Sequence, residues 1–310
     1  MGGHDMRPAD VSQAPAAPVF ARGNQPLPFS DVDGVKEYRL TTQVMRWSIL
    51  PTVQVGAYTY NGTVPGPWIR LTVGDRVRFA VKNDLPEATS VHWHGLQIPN
   101  DQDGAAGVTQ KPIKPGETFA YEWTVPPTPG TFFYHTHFNA DRQQSLGLYG
   151  LLTVEEPSGP PPADADFAVL LQEWTVTGEG TFPAMDMPGM EPNFFTINGK
   201  SYPATDTVDL KVGQKLRVRF IGSQNAFIHP MHIHGGPFTI IETDGNPVPP
   251  GAQLAKDTVN VGPGERYDVI WPARLPGKWL LHCHINHHTT HNGAEEEGGG
   301  GLTLVLSVTP

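Results

Sequence analysis

The constraint that most limits the fold is a duplication. Asn61-Gly62 recurs as Asn198-Gly199, Val73-Gly74 as Val212-Gly213, Pro115-Gly116-Glu117 as Pro263-Gly264-Glu265 and Pro129-Gly130 as Pro276-Gly277, at offsets that drift only from 137 to 148 residues. A repeat of matched turn residues at that spacing means one folding unit used twice. Between the turns run VQVGAYTY, WIRLTV, DRVRFAVKN and TFAYEWTV in the first half, and FAVLLQEW, KLRVRFI and FTIIETD in the second. Short alternating runs rich in β-branched and aromatic residues predict strands. With Gly 34, Pro 32 and only 17% charged residues, the composition suits strands and turns and disfavours a helical bundle. The expected fold is all-β, two tandem Greek-key β-sandwich domains. Residues 1–36 read as a mobile or draped arm, 37–156 as the first domain, 157–165 as a linker within the Pro-rich acidic stretch EEPSGPPPADAD, and 166–310 as the second domain.

The net charge of −10 gives the chain no attraction for nucleic acid or an anionic membrane surface. No apolar run is long enough for a membrane span or a signal-peptide core. The single cysteine excludes an intrachain disulfide framework. Against that one cysteine stand thirteen histidines.

Eight of the histidines form four H-x-H pairs: His92 and His94, His135 and His137, His232 and His234, His282 and His284. On a strand, residues i and i+2 project to one face, so each pair aims two imidazoles at one point. Imidazoles without clustered carboxylates favour copper or zinc over magnesium, calcium or manganese. In His282-Cys283-His284 the thiol must face away from its two neighbours, so a metal on Cys283 is separate from metals on the imidazoles yet joined to them through two peptide links. Cys283 needs two more ligands for a His2Cys copper site, and His229 and His288 are the candidates nearby. The repeat offsets place Thr136, Thr89 and Asp141 where the second half has Cys283, His229 and His288, so the first domain has no ligands for such a site.

The strings HWHGL, FFYHTH, HPMHIHG and HCHINHH, with YNGTVPGP and DGAAGVTQKPI, resemble those of the multicopper oxidases, specifically the laccase-like, two-domain bacterial kind with type 1 copper in the second domain. The likeness runs from about Tyr38 to the C-terminus. It implies two cupredoxin-like domains, four coppers per chain, and reduction of O2 to water with electrons taken singly from a phenolic, aromatic-amine or metal-ion reductant. It further implies type 1 ligands His229, Cys283 and His288, and type 2 ligands His92 and His232. The type 3 pair would take His94, His135 and His284 on one ion, and His137, His234 and His282 on the other.

Asp103 matches an acidic residue that supports proton delivery in relatives, and its alternative is a plain turn position before Gly104. The axial position beside the type 1 copper falls on Gly293 in a gapless reading and on Leu302 when the last strand is aligned; Leu302 is preferred, and neither coordinates. The resemblance also implies a homotrimer with clusters shared between chains, and a location outside the cytoplasm. A copper nitrite reductase is the less favoured relative, since its thiolate site lies in the first domain, where this chain has Thr136. His287 and His291 with Glu295, Glu296 and Glu297 form either a substrate rim or a solvated loop, and Met185, Met187 and Met190 either a Cu(I)-binding patch or loop contacts. His4 belongs to the arm.

Overall fold

The duplicated Asn-Gly pairs are turns of the same shape. In the computed structural model, which describes residues 6–159, 163–224, 226–295 and 297–310, Asn61 and Asn198 both take φ of 52°, followed by Gly62 at 77° and Gly199 at 73°. Left-handed backbone is available to glycine without strain and is tolerated by asparagine. Each asparagine also ties its turn to the neighbouring strand, Asn61 Oδ1 accepting from the Thr41 N–H at 2.7 Å and Asn198 Oδ1 from the Leu170 N–H at 3.0 Å. At Gly199 a Cβ would fall 2.1 Å from the Val64 carbonyl oxygen, so the first domain packs directly on this backbone.

The first half forms β1 (Phe29–Val32), β2 (Val35–Leu50), β3 (Val53–Tyr60), β4 (Gly66–Thr72), β5 (Arg76–Asn83), β6 (His92–His94), β7 (Thr118–Thr124), β8 (Gly130–His135) and β9 (Tyr149–Glu155). One sheet has the order β1-β2-β5-β7 with β3 paired to β2, and the other β4-β9-β8-β6. The second half forms β10 (Ala165–Thr177), β11 (Gly180–Phe182), β12 (Phe194–Ile197), β13 (Thr207–Lys211), β14 (Lys215–Gln224), β15 (His229–Ile233), β16 (Phe238–Thr243), β17 (Asn246–Pro247), β18 (Leu254–Lys256), β19 (Thr258–Val261), β20 (Arg266–Pro272), β21 (Gly277–Cys283) and β22 (Thr303–Thr309). Its sheets follow β11-β10-β14-β20-β16-β17, with β12 on β10 and β18 on β16, and β13-β22-β21-β15-β19. The pairings repeat in kind: β2 runs parallel to β5 as β10 does to β14, and β4 parallel to β9 as β13 does to β22. This is the all-β architecture of two cupredoxin-like sandwiches expected from the sequence.

Alternation fills the cores. In β5, Val77, Phe79 and Val81 are buried while Arg76 and Lys82 point out. One apolar cluster lies inside each sandwich, and a third, containing Trp47, Phe133, Tyr149, Leu170, Trp174 and Ile221, lies between them. The N-terminal arm is bound rather than loose. It bonds to the first domain through Ala17 N–H to the Arg46 carbonyl (2.9 Å) and to the second through Ala9 N–H to the Thr181 carbonyl (2.9 Å). Lys200 donates to the Val19 carbonyl at 3.1 Å. His4, Glu296 and residues 160–162 of the linker lie outside the described residues.

A buried ionic cluster pins the two domains together at Thr131 of β8. Glu242 accepts the Thr131 N–H at 2.7 Å, Asp268 accepts its hydroxyl at 2.8 Å, and the Arg266 guanidinium donates to its carbonyl at 3.3 Å. Arg217 and Arg219 donate to the same Asp268 carboxylate. Beside Thr131, Gly130 packs on the Gly245 backbone, where a Cβ would meet the carbonyl oxygen at 2.5 Å. Such clusters contribute modestly to net stability, because desolvation offsets attraction, but they admit few alternative geometries. Burial and the Asp268 charge push the Glu242 carboxyl up from 4.5 to about 7. The folded chain therefore holds this proton after the unfolded chain has lost it, and the folded state loses stability as pH rises from 4.5 through 7. Glu242→Gln removes that dependence. Chemical denaturation across this range is expected to show the variant gaining on the parent with rising pH and levelling above it, and a constant difference would contradict the assignment.

Candidate metal centres

Strand register assembles the histidines. β6 pairs with β8 so that His92 lies opposite His135, and β15 pairs with β21 so that His232 lies opposite His282. The ring centroids of His92, His94, His135 and His137 lie 5.3 to 6.4 Å apart in the close pairs, and those of His232, His234, His282 and His284 5.1 to 5.7 Å. His94 Nδ1 approaches His135 Nε2 at 3.2 Å, and His234 Nε2 approaches His282 Nε2 at 3.0 Å.

Main-chain carbonyls hold the rings in a repeated manner. His92 Nδ1 bonds to the Asp103 carbonyl (2.8 Å) and His232 Nδ1 to that of Asp257 (2.7 Å), while His135 Nδ1 bonds to the Thr136 carbonyl (2.7 Å) and His282 Nδ1 to that of Cys283 (2.8 Å). A proton fixed on Nδ1 leaves the Nε2 lone pair outward, the orientation a metal ligand needs. Asp257, the second-domain counterpart of Asp103 in this contact, was not singled out from the sequence. Its signal was positional only: both aspartates follow their H-x-H pair in a loop.

Burial, the Arg266 guanidinium and the neighbouring imidazoles push His94 down to about 3. Burial likewise lowers His135, His234 and His282, so these rings are neutral donors at neutral pH. The two sets stay apart within the chain. His94 and His135 face a cavity of about 320 Å³ closed by Gly222, Pro263 and Gly264, whereas His232 and His234 open onto another of about 620 Å³ lined by Gly235, Pro237, Lys256 and Asp257. Among the described residues no ring contact joins one set to the other, and His137 and His284 are exposed.

On the core side of β21, Cys283 meets His229 and His288, all three buried. His229 Nδ1 and His288 Nδ1 are 3.0 Å apart, and each is 3.7 Å from Cys283 Sγ. The centre of that triangle lies about 2.0 Å from all three atoms, the length of a metal–nitrogen bond and slightly short of a metal–sulfur bond. The donor set therefore fits one metal ion of the kind that takes two imidazoles and a thiolate. Burial pushes the Cys283 thiol up to about 12 and, with the adjacent imidazoles, His288 down to about 3, so metal uptake must displace the thiol proton.

Glu173 of β10 completes the site and was missed in the sequence. Its side chain is fully buried, its Oε1 is 2.9 Å from His229 Nε2, and it accepts the N–H of Ala226 at 2.6 Å and of Phe227 at 3.2 Å. A proton on Nε2 facing this carboxylate leaves the His229 Nδ1 lone pair toward Cys283. The available signal was a carboxylate inside the apolar run FAVLLQEW, a position where burial requires a partner. Leu302 sits in the core cluster with Cys283, its carbonyl taking the Cys283 N–H at 3.0 Å and its N–H reaching the His288 carbonyl at 2.9 Å. Gly293 lies in a turn with open space around it.

In the first domain three polar side chains occupy the corresponding place. Gln143 Oε1 accepts from the hydroxyls of Thr89 and Thr136, both at 2.8 Å. The offset had put Asp141 at the third corner; the short helix Ala140–Gln143 instead turns Gln143 inward and leaves Asp141 on the wall of the cavity beside His94. The rim reading of His291 is also corrected. Its ring is buried, 3.1 Å from the Ser201 hydroxyl through Nδ1 and stacked on Phe194, whereas His287 is exposed. Met185 and Met190 close a turn through a 2.9 Å backbone bond, with Met187 46% exposed.

Two sequence profiles described as multicopper oxidase match residues 41–159 and 179–294. The chain is 35% identical over 70% of its length to multicopper oxidase MmcO of Mycobacterium tuberculosis, covering 48% of that protein, and 30% identical over 86% of its length to Laccase-1 of Cryptococcus neoformans var. grubii, covering 46%. It thus spans about half the length of these curated relatives. Its fold is similar to the crystal structure of a blue copper oxidase from Nitrosomonas europaea, with a TM-score of 0.79, 33% identity and coverage of 88% of this chain and 85% of that one. With these matches added to its sandwiches and donor sets, the chain belongs to the multicopper oxidase family, whose members bind copper.

Proposed function

We propose that this protein is a laccase-like oxidase that takes electrons singly from phenolic or aromatic-amine donors and delivers them to O2, forming water. The observation that carries the reading is the buried His229–Cys283–His288 triangle on the strand that also bears His282. In this reading those three residues hold a type 1 copper beside a non-coordinating Leu302. His92 and His232 hold a type 2 copper. His94, His135 and His284 serve one type 3 copper, and His137, His234 and His282 the other. Bound copper supplies one-electron chemistry at the first site and oxygen reduction at the cluster.

The chain's own residues do the rest. Cys283 passes electrons to His282 and His284 through its two peptide links. His229 is sealed and His288 nearly so, so donors act across the surface formed by Phe227 and by Ile228, which is 53% exposed. Asp103, with Oδ1 3.4 Å from His92 Nδ1, sets a carboxyl beside the cluster, where it would support proton delivery. The separation of the two histidine sets supports a cluster completed by a second chain; the resemblance to two-domain members of the family supports a homotrimer, and the laccase relatives support a location outside the cytoplasm. A second reading, oxidation of Cu(I) or another metal ion, is favoured by the exposed thioether of Met187.

Metal analysis with visible and EPR spectra, on material sized by light scattering, tests the main reading. The expected result is a trimer with four coppers per chain, the number typical of the family, and an intense thiolate band. Cys283→Ser should lose the band and the turnover but keep the fold, and a fully active monomer would refute the shared cluster. Replacing Met185, Met187 and Met190 with leucine lowers Cu(I) turnover relative to phenol turnover only under the second reading. Glu173→Gln is expected to weaken copper binding at the thiolate site by about 10- to 100-fold, the usual effect of losing a partner behind a ligand, as read by titration of the visible band. An unchanged titration would remove Glu173 from that role.

A further inference from the structure

The first domain holds an arrangement for which the copper ligands leave no role. Trp93 lies between His92 and His94 on β6, so alternation turns its indole into the core while both imidazoles face outward. Trp93 is 1% exposed, and its ring centroid is 4.7 Å from Trp123 and 4.6 Å from Phe79. Phe79 in turn is 5.2 Å from Trp123 and 4.7 Å from Tyr38, with rings nearly parallel, and Tyr38 is 5.4 Å from Phe29. Phe29 is 49% exposed. An unbroken aromatic stack therefore joins the back of the histidine strand to the protein surface.

The stack belongs to one half of the duplication. Ile233 stands at the position of Trp93 and Val218 at that of Phe79, although Trp271 matches Trp123. Each half thus has one oxidisable side chain flanked in sequence by two of the clustered histidines: Cys283 in the second domain and Trp93 in the first. The indole Nε1 atoms of Trp93 and Trp123 are buried with no hydrogen-bond partner among the described residues. An indole that cannot release its proton is hard to oxidise, so this pair stays reduced unless a strong oxidant adjoins it.

We propose that Trp93 and Trp123 form an outlet for oxidising equivalents from the histidine cluster, coupled through Phe79 and Tyr38 to reductants at the surface near Phe29. The proposal rests on the reading of the eight histidines as a copper cluster. In each event one electron would leave the Trp93 indole through its peptide link to His92 or His94 and would be taken up by the copper those imidazoles would hold. Trp123 refills Trp93. A phenol or thiol in solution, itself oxidised by one electron and losing its own proton to water, refills Trp123 through the stack. While reductant is present no bond in the protein forms or breaks and neither indole gives up its proton; when it is withheld, an unfilled indole radical combines with O2 and is left as oxidised tryptophan. The outlet operates when electrons fail to arrive through Cys283, and it spares the histidine ligands from oxidation.

The test compares the copper-loaded parent with Trp93→Phe and Trp123→Phe. Metal content and the thiolate band are recorded first. Each protein then reacts with O2 while its reductant is withheld part-way, is freeze-quenched for EPR, and is digested to map oxidised tryptophan by mass spectrometry. The parent should show an indole radical and oxidation at both positions. Trp93→Phe should protect Trp123, and Trp123→Phe should concentrate the damage on Trp93; both should inactivate after fewer turnovers. If Trp93→Phe does not fold, the accumulation on Trp93 in Trp123→Phe carries the test. Copper uptake with unmodified indoles in the parent, or equal Trp123 oxidation without Trp93, would overturn the outlet alone. A chain that takes up no copper would overturn the copper reading and the outlet together.

Discussion

A strand can hold two imidazoles on one face only by turning the residue between them the other way. In β21 that residue is Cys283, and its thiol reaches His229 and His288 inside the sandwich while His282 and His284 face out. In β6 it is Trp93, and its indole enters the aromatic core. The same alternation therefore sets both the separation of the two groups of side chains and the covalent link between them. No loop rearrangement is needed to connect a buried site to an exposed one, because the connection is a single residue long.

The duplicated unit has diverged by filling one pocket in two ways. In the second domain, imidazole and thiol donors surround a space the size of a metal ion, with Glu173 fixing one ring from behind. In the first, Thr89, Thr136 and Gln143 satisfy one another across the same space. A buried polar group must find a partner, and either a metal or a neighbouring hydroxyl serves. The first domain's arrangement satisfies its polar groups internally and leaves no imidazole–thiol donor set there.

The histidines of the first domain are positioned by charge. Every polar backbone and side-chain atom of Thr131 is bound by Glu242, Asp268, Arg219 or Arg266 of the second domain, and Thr131 lies on the strand that ends at His135. Apolar packing between the domains resists separation but tolerates sliding; a desolvated ionic cluster does not tolerate sliding, because any displacement leaves a charge unpaired. The spacing of His135 and its neighbours relative to the second domain is fixed accordingly.

The sequence by itself determined the all-β duplication, the paired imidazoles and the isolation of Cys283, because turn residues and strand alternation are local rules that matched spacing makes visible. It also offered His229 and His288 to the thiol as candidates, His288 five residues beyond Cys283 and His229 in the segment HPMHIHG beside the His232 and His234 pair. Only the tertiary structure revealed Glu173, 56 residues before His229 and on a different sheet, and placed Gln143 rather than Asp141 beside Thr136. It also buried His291 against Ser201 and aligned Trp93, Trp123, Phe79 and Tyr38 in one stack. Apart from Gln143, which a short local helix turns back toward Thr136, those contacts join segments far apart in the chain, where no periodicity connects one residue to another and only the packing of one sheet on the next decides which side chains meet.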